Sequence, residues 1–358
     1  MSTFLKTSSQ PPTERVAFLD GIRGMASIMV LMQHLATDFL ASLQSEQYDS
    51  KFLAFITNGH FAIVIFFVLS GYALSLTQIR HKQNLLYLYV ARYFRLMLPI
   101  LFTCTITYIF LISGLFLITG NAYQFPPSVP SLLKFSLFDV FFDYQNSLSY
   151  SPQLWTITTE IIGSYVIYAL IPLFGKQFIF PFLLPLVVAV SLLFIKPFIA
   201  CFIFGYLIAQ LNLRYLDLRN KYISAACLLA FALIVGIVSS NETLEDWFKC
   251  LLASALIISV SYSPVLRKVF TNSILLFIGK ISFPLYLIQF LVICSFSSYL
   301  NTQFKAFNFV NLTSTNINLG LTIAACILFA YLLTPLDIYS IQISKKIGAL
   351  NFKRLIGR

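Results

Sequence analysis

The chain has 358 residues, 58% hydrophobic and only 10% charged, with a mean hydropathy of +0.84. A water-soluble domain carries about 25% charged residues, so these proportions exclude a soluble globular protein. The formal net charge of +11 would suit a nucleic-acid binder in a soluble chain, but the placement of the charges gives it another role.

Apolar stretches of about 20 residues, enough to cross a hydrocarbon core roughly 30 Å thick, recur along the whole sequence. Lipid offers the backbone no hydrogen bonds, so such stretches must be helices. The expected fold class is all-α, a polytopic transmembrane protein with about ten helices. In chain order the spans are 18–40, 57–79, 96–119, 152–174, 177–195, 197–212, 222–240, 247–263, 282–300 and 317–341. The polar start (MSTFLKTSSQPPTER) is not followed by a short apolar region with a cleavage site, so the first span reads as a retained helix. Only Lys196-Pro197 separates the fifth and sixth spans, and a single broken or re-entrant element is the alternative. The expected organisation is a cytoplasmic tail (1–17), one membrane domain (18–341) and a basic cytoplasmic tail (342–358).

Ten crossings with the N-terminus inside put 19 Lys and Arg on the inner side. Five are left outside: Lys51, Lys134, Lys196, Lys249 and Lys305. The outer loops take most of the acids, among them Asp38, Glu46, Asp49, Asp139, Asp143 and Asp246. This is the positive-inside pattern, with both termini cytoplasmic. The basic balance is therefore a topology signal that implies the lipid bilayer, and no nucleic acid, as partner. Some of these residues also suit anionic lipid or an anionic ligand on the inner side. The six cysteines are scattered without ligand spacing and read as small apolar helix residues, with neither a disulfide framework nor a metal site.

Ionisable residues at membrane depth are costly and are functional candidates by default. The first span reads FLDGIRGMASIMVLMQHLATDFL. Arg23 and His34 are eleven residues apart, close to three turns, so they share one face at a separation of ~16 Å. Asp20, Ser27 and Asp38 fall near the same stripe, like one wall of a hydrated or ligand-filled path. His34 offers a neutral imidazole near pH 7 for proton transfer; a hydrogen-bonded structural histidine is the plainer reading. Arg23 is also compatible with an interfacial anchor. Glu160 in the fourth span lies ~12 Å from the outer side, near the level of His34. A carboxylate there must be protonated or paired; it would orient His34, bind a hydroxyl, or support the helix through Thr156 and Ser164.

Before the third span, RHKQNLLYLYVARYFRLMLP sets Arg92 and Arg95 one turn apart. They form either a bidentate phosphate clamp or a positive-inside anchor. Ser70-Gly71 in the second span permits close helix approach, and His60 sits near that span's outer end, lining the mouth or simply interfacial. Trp155 suits an interfacial aromatic anchor. His81, the third histidine, lies in a basic loop. The sequence contains no Gly-x-Ser-x-Gly, Walker or metal-ligand pattern.

In this order, FLDGIRGMASIMVLMQH, FFVLSGY, ARYFRLMLP, LWTITTE and GKISFPLYLIQF resemble the acyltransferase-3 family of membrane O-acyltransferases. Its members modify surface polysaccharides, peptidoglycan, antibiotics and lipids. The resemblance implies a ten-helix domain, a cytoplasmic acyl-CoA donor, commonly acetyl-CoA, and a hydroxyl-bearing acceptor such as an envelope polysaccharide reached from the other side. It makes His34 the catalytic histidine supported by Arg23, with Arg92 and Arg95 holding the donor's phosphates and Glu160 in the family's acidic position. Asp38, His60, Ser70, Trp155 and Gln289 then become acceptor-side candidates. Many members carry histidine where this chain has Gln289, and an amide cannot shuttle a proton as imidazole does. The implied location is the bacterial inner membrane, and no metal is implied. A proton-coupled transporter using Arg23, His34 and Glu160 is the competing reading, set back by the lack of an inverted repeat.

Overall fold

The structure, a computed structural model, describes residues 16–36, 50–81, 83–116, 125–174, 183–215, 220–241, 243–309 and 311–356. Among these residues every regular element is helical. The principal helices are α1 (Ala17–Leu35), α2 (Gly59–His81), α3 (Leu85–Ile112), α4 (Trp155–Phe174), α5 (Leu183–Leu193), α6 (Pro197–Tyr215), α7 (Lys221–Ser240), α8 (Asp246–Tyr262), α9 (Ser273–Val292) and α10 (Leu312–Ile356). Shorter helical pieces, among them Lys51–Ile56, Val129–Lys134 and Pro264–Phe270, fill the connections.

Each expected span falls on one of these helices, with three corrections. The third was expected to begin at residue 96, beyond Arg92 and Arg95. Helix α3 instead starts at Leu85, where the Asn84 side chain accepts the Leu86 N–H. Both arginines therefore lie inside the helix and not in the connecting segment. A hydropathy reading penalises arginine there, but a buried carboxylate partner offsets the penalty. The fifth and sixth spans are separate helices packed on each other. The described part of α5, 11 residues, is about 16 Å long, shorter than a 30 Å core. Finally, α10 runs through the segment expected to be a tail.

Six helices, α2, α3, α4, α7, α9 and α10, are each long and apolar enough to cross a bilayer. A seventh crossing arises if α8 and Pro264–Phe270, bent by 102°, form one span. Among the described residues this gives six or seven spans by length and apolarity, beside the ten expected. Asp20, Arg23, Gln33 and His34 lower the apolarity of α1, and the described part of α5 is short. The chain is thus an integral membrane protein built from helices alone among its described residues.

Helices α2 and α9 form the inside of the bundle: 61% and 67% of their apolar windows are buried, against 17% for α7 and α10. The outer helices turn residues such as Leu229, Leu233, Leu328 and Leu332 outward, as lipid-facing surfaces require.

Two glycine contacts set the spacing of this core. A Cβ on Gly71 would overlap the Phe202 carbonyl, and one on Gly205 the Val68 carbonyl, so α2 and α6 touch backbone to backbone. Helices α1 and α9 meet in the same way: Gly24 abuts Leu275 and Gly279, and Gly279 abuts the Asp20 carbonyl. Small residues at such contacts replace the hydrophobic drive that lipid removes between helices.

The pairing also fixes direction. Gly59 at the start of α2 meets Gln33 near the end of α1. Gln153 and Thr156 around the start of α4 meet Tyr286 in the second half of α9. Phe198 touches both His60 and Trp155 and so levels those two starts, and α1 and α9 run parallel. At the opposite end start α2, α4, α6 and α8. His60 on α2 meets Lys249 on α8, Cys201 on α6 meets Cys250 on α8, and Trp155 on α4 packs on Phe198 of α6.

Candidate active site

A cavity of about 210 Å³ opens where α1, α2, α3, α4, α9 and α10 converge. Its walls carry Arg23, Arg92, Arg95 and Lys280 against Glu160 and Asp337, four cations to two carboxylates. The surplus makes it a site for an anionic group.

Two of the three arginines are held by a neighbouring carboxylate. Arg92, 8% exposed, donates through Nε to Ser164 Oγ at 3.0 Å and through Nη2 to Glu160. The Ser164 hydroxyl donates to the Glu160 carbonyl at 2.6 Å. One helical turn of α4 thus supplies both acceptors, at i and i+4. Glu160, for which orienting His34, binding a hydroxyl or supporting its helix were the expected roles, pairs here with Arg92. Arg23 Nη1 donates to Asp20 Oδ1 at 3.1 Å, and Ser27 donates to the Arg23 carbonyl at 2.9 Å. Arg95 lies in the electrostatic field of Arg92, Arg23 and Asp337. Arg95 and Lys280 are the more accessible cations.

Away from the cations, the cavity ends at Val30, Thr156 and Tyr286. The Tyr286 hydroxyl bridges α9 to α4, lying 2.7 Å from Thr156 Oγ1 and donating to the Gln153 carbonyl. One turn further along each of these helices stand His34, Gln153 and Gln289. His34 itself does not line the cavity. It is half-buried, four residues beyond Val30 and hence on the same face. The parallel register of α1 and α9 sets its level: ten residues past Gly24 is His34, ten past Gly279 is Gln289, each about 15 Å on. Gln153 closes the layer, its Nε2 donating to the Tyr286 carbonyl at 3.4 Å.

Two atoms in this layer are orphans among the described residues. Gln289 Nε2, in a side chain 1% exposed, has no acceptor, and Gln153 Oε1, in a side chain 4% exposed, has no donor. Buried polar groups are almost always satisfied, so each orphan asks for a partner. One needs an acceptor and the other a donor, and a hydroxyl is both.

The remaining sequence candidates scatter. Ser70 lines the cavity. Trp155 stands one residue before Thr156, with its ring 6.0 Å from that of Phe198. His60 lies outside the cavity in a polar cluster, with Nδ1 2.8 Å from Lys249 Nζ and 3.4 Å from Asp246 Oδ1. Asp38 lies outside the described residues. No three His, Cys, Asp or Glu side chains among those described are grouped to hold a metal.

Sequence reasoning overlooked Asp337, Lys280, Tyr286 and Gln153. Asp337 carries the signal that marked Glu160, an acid inside an apolar span. Lys280 is visible only as one more inner cation, and Gln153 and Tyr286 depend on pairing that no local pattern shows.

No curated protein and no solved structure gives a significant match to this chain. The sequence does match the acyltransferase-3 family, described as an acyltransferase domain, over residues 16–335. With that match covering nearly its whole length, the protein belongs to the acyltransferase-3 family and is a membrane acyltransferase.

Proposed function

We propose that this protein is an O-acetyltransferase of the bacterial inner membrane. It moves an acetyl group from acetyl-CoA to a hydroxyl of an envelope glycan or similar acceptor. The chain would cross the membrane ten times with both termini cytoplasmic, as the 19-to-5 division of basic residues requires. The cationic cavity that ends one turn short of His34 is the observation that carries this reading.

Binding sites for drug-sized ligands measure about 300–1,000 Å³, so a cavity near 210 Å³ suits part of the donor. The slender thioester arm fits inside, with the phosphates left at the rim. Arg95 and Lys280, the accessible cations, are suited to those phosphates. Arg92 and Arg23, each held by a carboxylate, define the walls and the positive potential.

His34 acts as general base on the acceptor hydroxyl, a role worth about 10²–10⁴ in rate. The hydroxyl oxygen attacks the thioester carbonyl carbon as its proton passes to the imidazole. The C–S bond then breaks, and the thiolate regains a proton from the imidazolium as CoA leaves. Gln153 and Gln289 hold a second, non-reacting hydroxyl of the acceptor, which donates to Oε1 of one amide and accepts from Nε2 of the other. Neighbouring hydroxyls are what a sugar offers.

Mass spectrometry of envelope glycans from cells with and without the protein tests the assignment. One acetyl per repeat should be lost with the gene. Identical glycans, together with no acetyl-CoA consumption by membranes that contain the protein, would overturn it.

A further inference from the structure

Cys201 and Cys250 are far apart in sequence, yet their sulfur atoms lie 2.7 Å from each other. Both thiols are free and fully buried. Two sulfurs that do not share a bond stand well beyond this distance, whereas a disulfide closes to about 2.05 Å. Each cysteine is the fifth residue of its helix, α6 from Pro197 and α8 from Asp246. The two helices therefore start level and present their thiols at one depth, about 6 Å in from the helix ends. That end also carries His60, Lys249 and Asp246. On the topology proposed above it faces away from the cytoplasm, toward the compartment where disulfides form and persist.

We propose that Cys201 and Cys250 form a structural disulfide that ties α6 to α8. One thiolate attacks an exchangeable disulfide on an extracytoplasmic thiol oxidase and forms a mixed disulfide. The second cysteine then attacks the mixed disulfide at the first cysteine's sulfur. The oxidant leaves as its dithiol, carrying the two electrons and both thiol protons. Both sulfurs are sealed in the packed bundle, so exchange occurs before α6 and α8 close on each other.

The bond bears on the site through the wall it braces. Phe198, one turn before Cys201, packs on Phe67 of the cavity lining, on His60 and on Trp155. Phe202 sits against Gly71 and Gly163. Lys249, next to Cys250, meets His60 at 2.8 Å. The bond would hold α6, the backing of α2, in register with α8.

A thiol count decides the matter. Cells carrying the full-length protein in an oxidising envelope are precipitated with acid, and the chain is dissolved in denaturant with excess alkylating agent, which reaches every free thiol. The denatured chain is then reduced and tagged with maleimide-polyethylene glycol, so that only thiols freed by reduction are counted. The proposal expects two tags from the six cysteines and none without reduction. Cys201→Ser and Cys250→Ser should each give none after reduction, because the released partner is a free thiol and is alkylated in the denaturant. No tag on the reduced wild-type chain would overturn the proposal, as would two tags that survive Cys201→Ser. Acetyl-CoA turnover in the same membranes keeps the two readings apart: zero tags with normal turnover sinks the disulfide alone.

Discussion

The two ends of the α1–α9 pair are built from opposite chemistry. At one end Arg23, Arg92, Arg95 and Lys280 surround a cavity, with Asp20 and Glu160 clamping two of the guanidinium groups. About three turns along, the same two helices present His34 and Gln289, joined by Gln153 from the turn that precedes α4, and no permanent charge. Charged groups inside a membrane must be paired or they cost several kcal/mol. The cationic end therefore carries its own carboxylates and stays positive only by the surplus cations. The neutral end avoids that cost and leaves two amide atoms without partners. One end suits a polyanionic donor and the other an uncharged hydroxyl, and the cavity between them stops one helical turn short of His34.

The spacing between the ends depends on backbone contact, so the largest effect should follow from forcing helices apart. Gly71→Leu cannot fit against the Phe202 carbonyl and should abolish folded protein, read as loss of a monodisperse peak in detergent chromatography. Glu160→Gln should come next. It leaves the buried Arg92 guanidinium without its anion, at about 3–5 kcal/mol, and should appear as a large drop in thermal stability. The double change Arg92→Met with Glu160→Met should recover much of that stability while donor turnover stays low, which a purely structural pair would not do.

Smaller effects should sort by end. Arg95→Ala or Lys280→Ala should raise the KM for acetyl-CoA by about tenfold, the worth of one charge-assisted contact, and reduce its salt dependence, with the acceptor KM unchanged. Gln289→Met keeps the shape and removes the donor. It should raise the acceptor KM several-fold and leave the donor KM alone. Steady-state kinetics in membranes with both substrates varied would reveal any crossing of these effects, and crossing would dissolve the comparison.

How much of this was legible in the sequence follows the same division. Arg23, Arg92, Arg95 and Glu160 stood out because charge in an apolar run is rare, and all four line one cavity. Their pairing did not stand out, because Arg92 and Glu160 lie 68 residues apart and only packing joins α3 to α4. The start of α3 was misplaced for the same reason: apolarity alone cannot credit a partner on another helix. The amide layer was fainter still. Gln289 was noticed through the family pattern, while Gln153, just before Trp155, resembles any polar residue at a helix start. Its orphaned oxygen exists only once Tyr286 has taken the other end of the amide. Cys201 and Cys250, expected merely to pack, show how two unremarkable residues gain meaning from a shared level.

The central claim is that the imidazole just beyond the cationic cavity performs the transfer. Transfer of labelled acetyl from acetyl-CoA to envelope glycan, by membranes containing equal amounts of wild-type and His34→Ala protein, tests it most directly. The account predicts that the variant folds and binds acetyl-CoA normally but loses at least about 10²-fold in rate. Equal rates for the two proteins would contradict it.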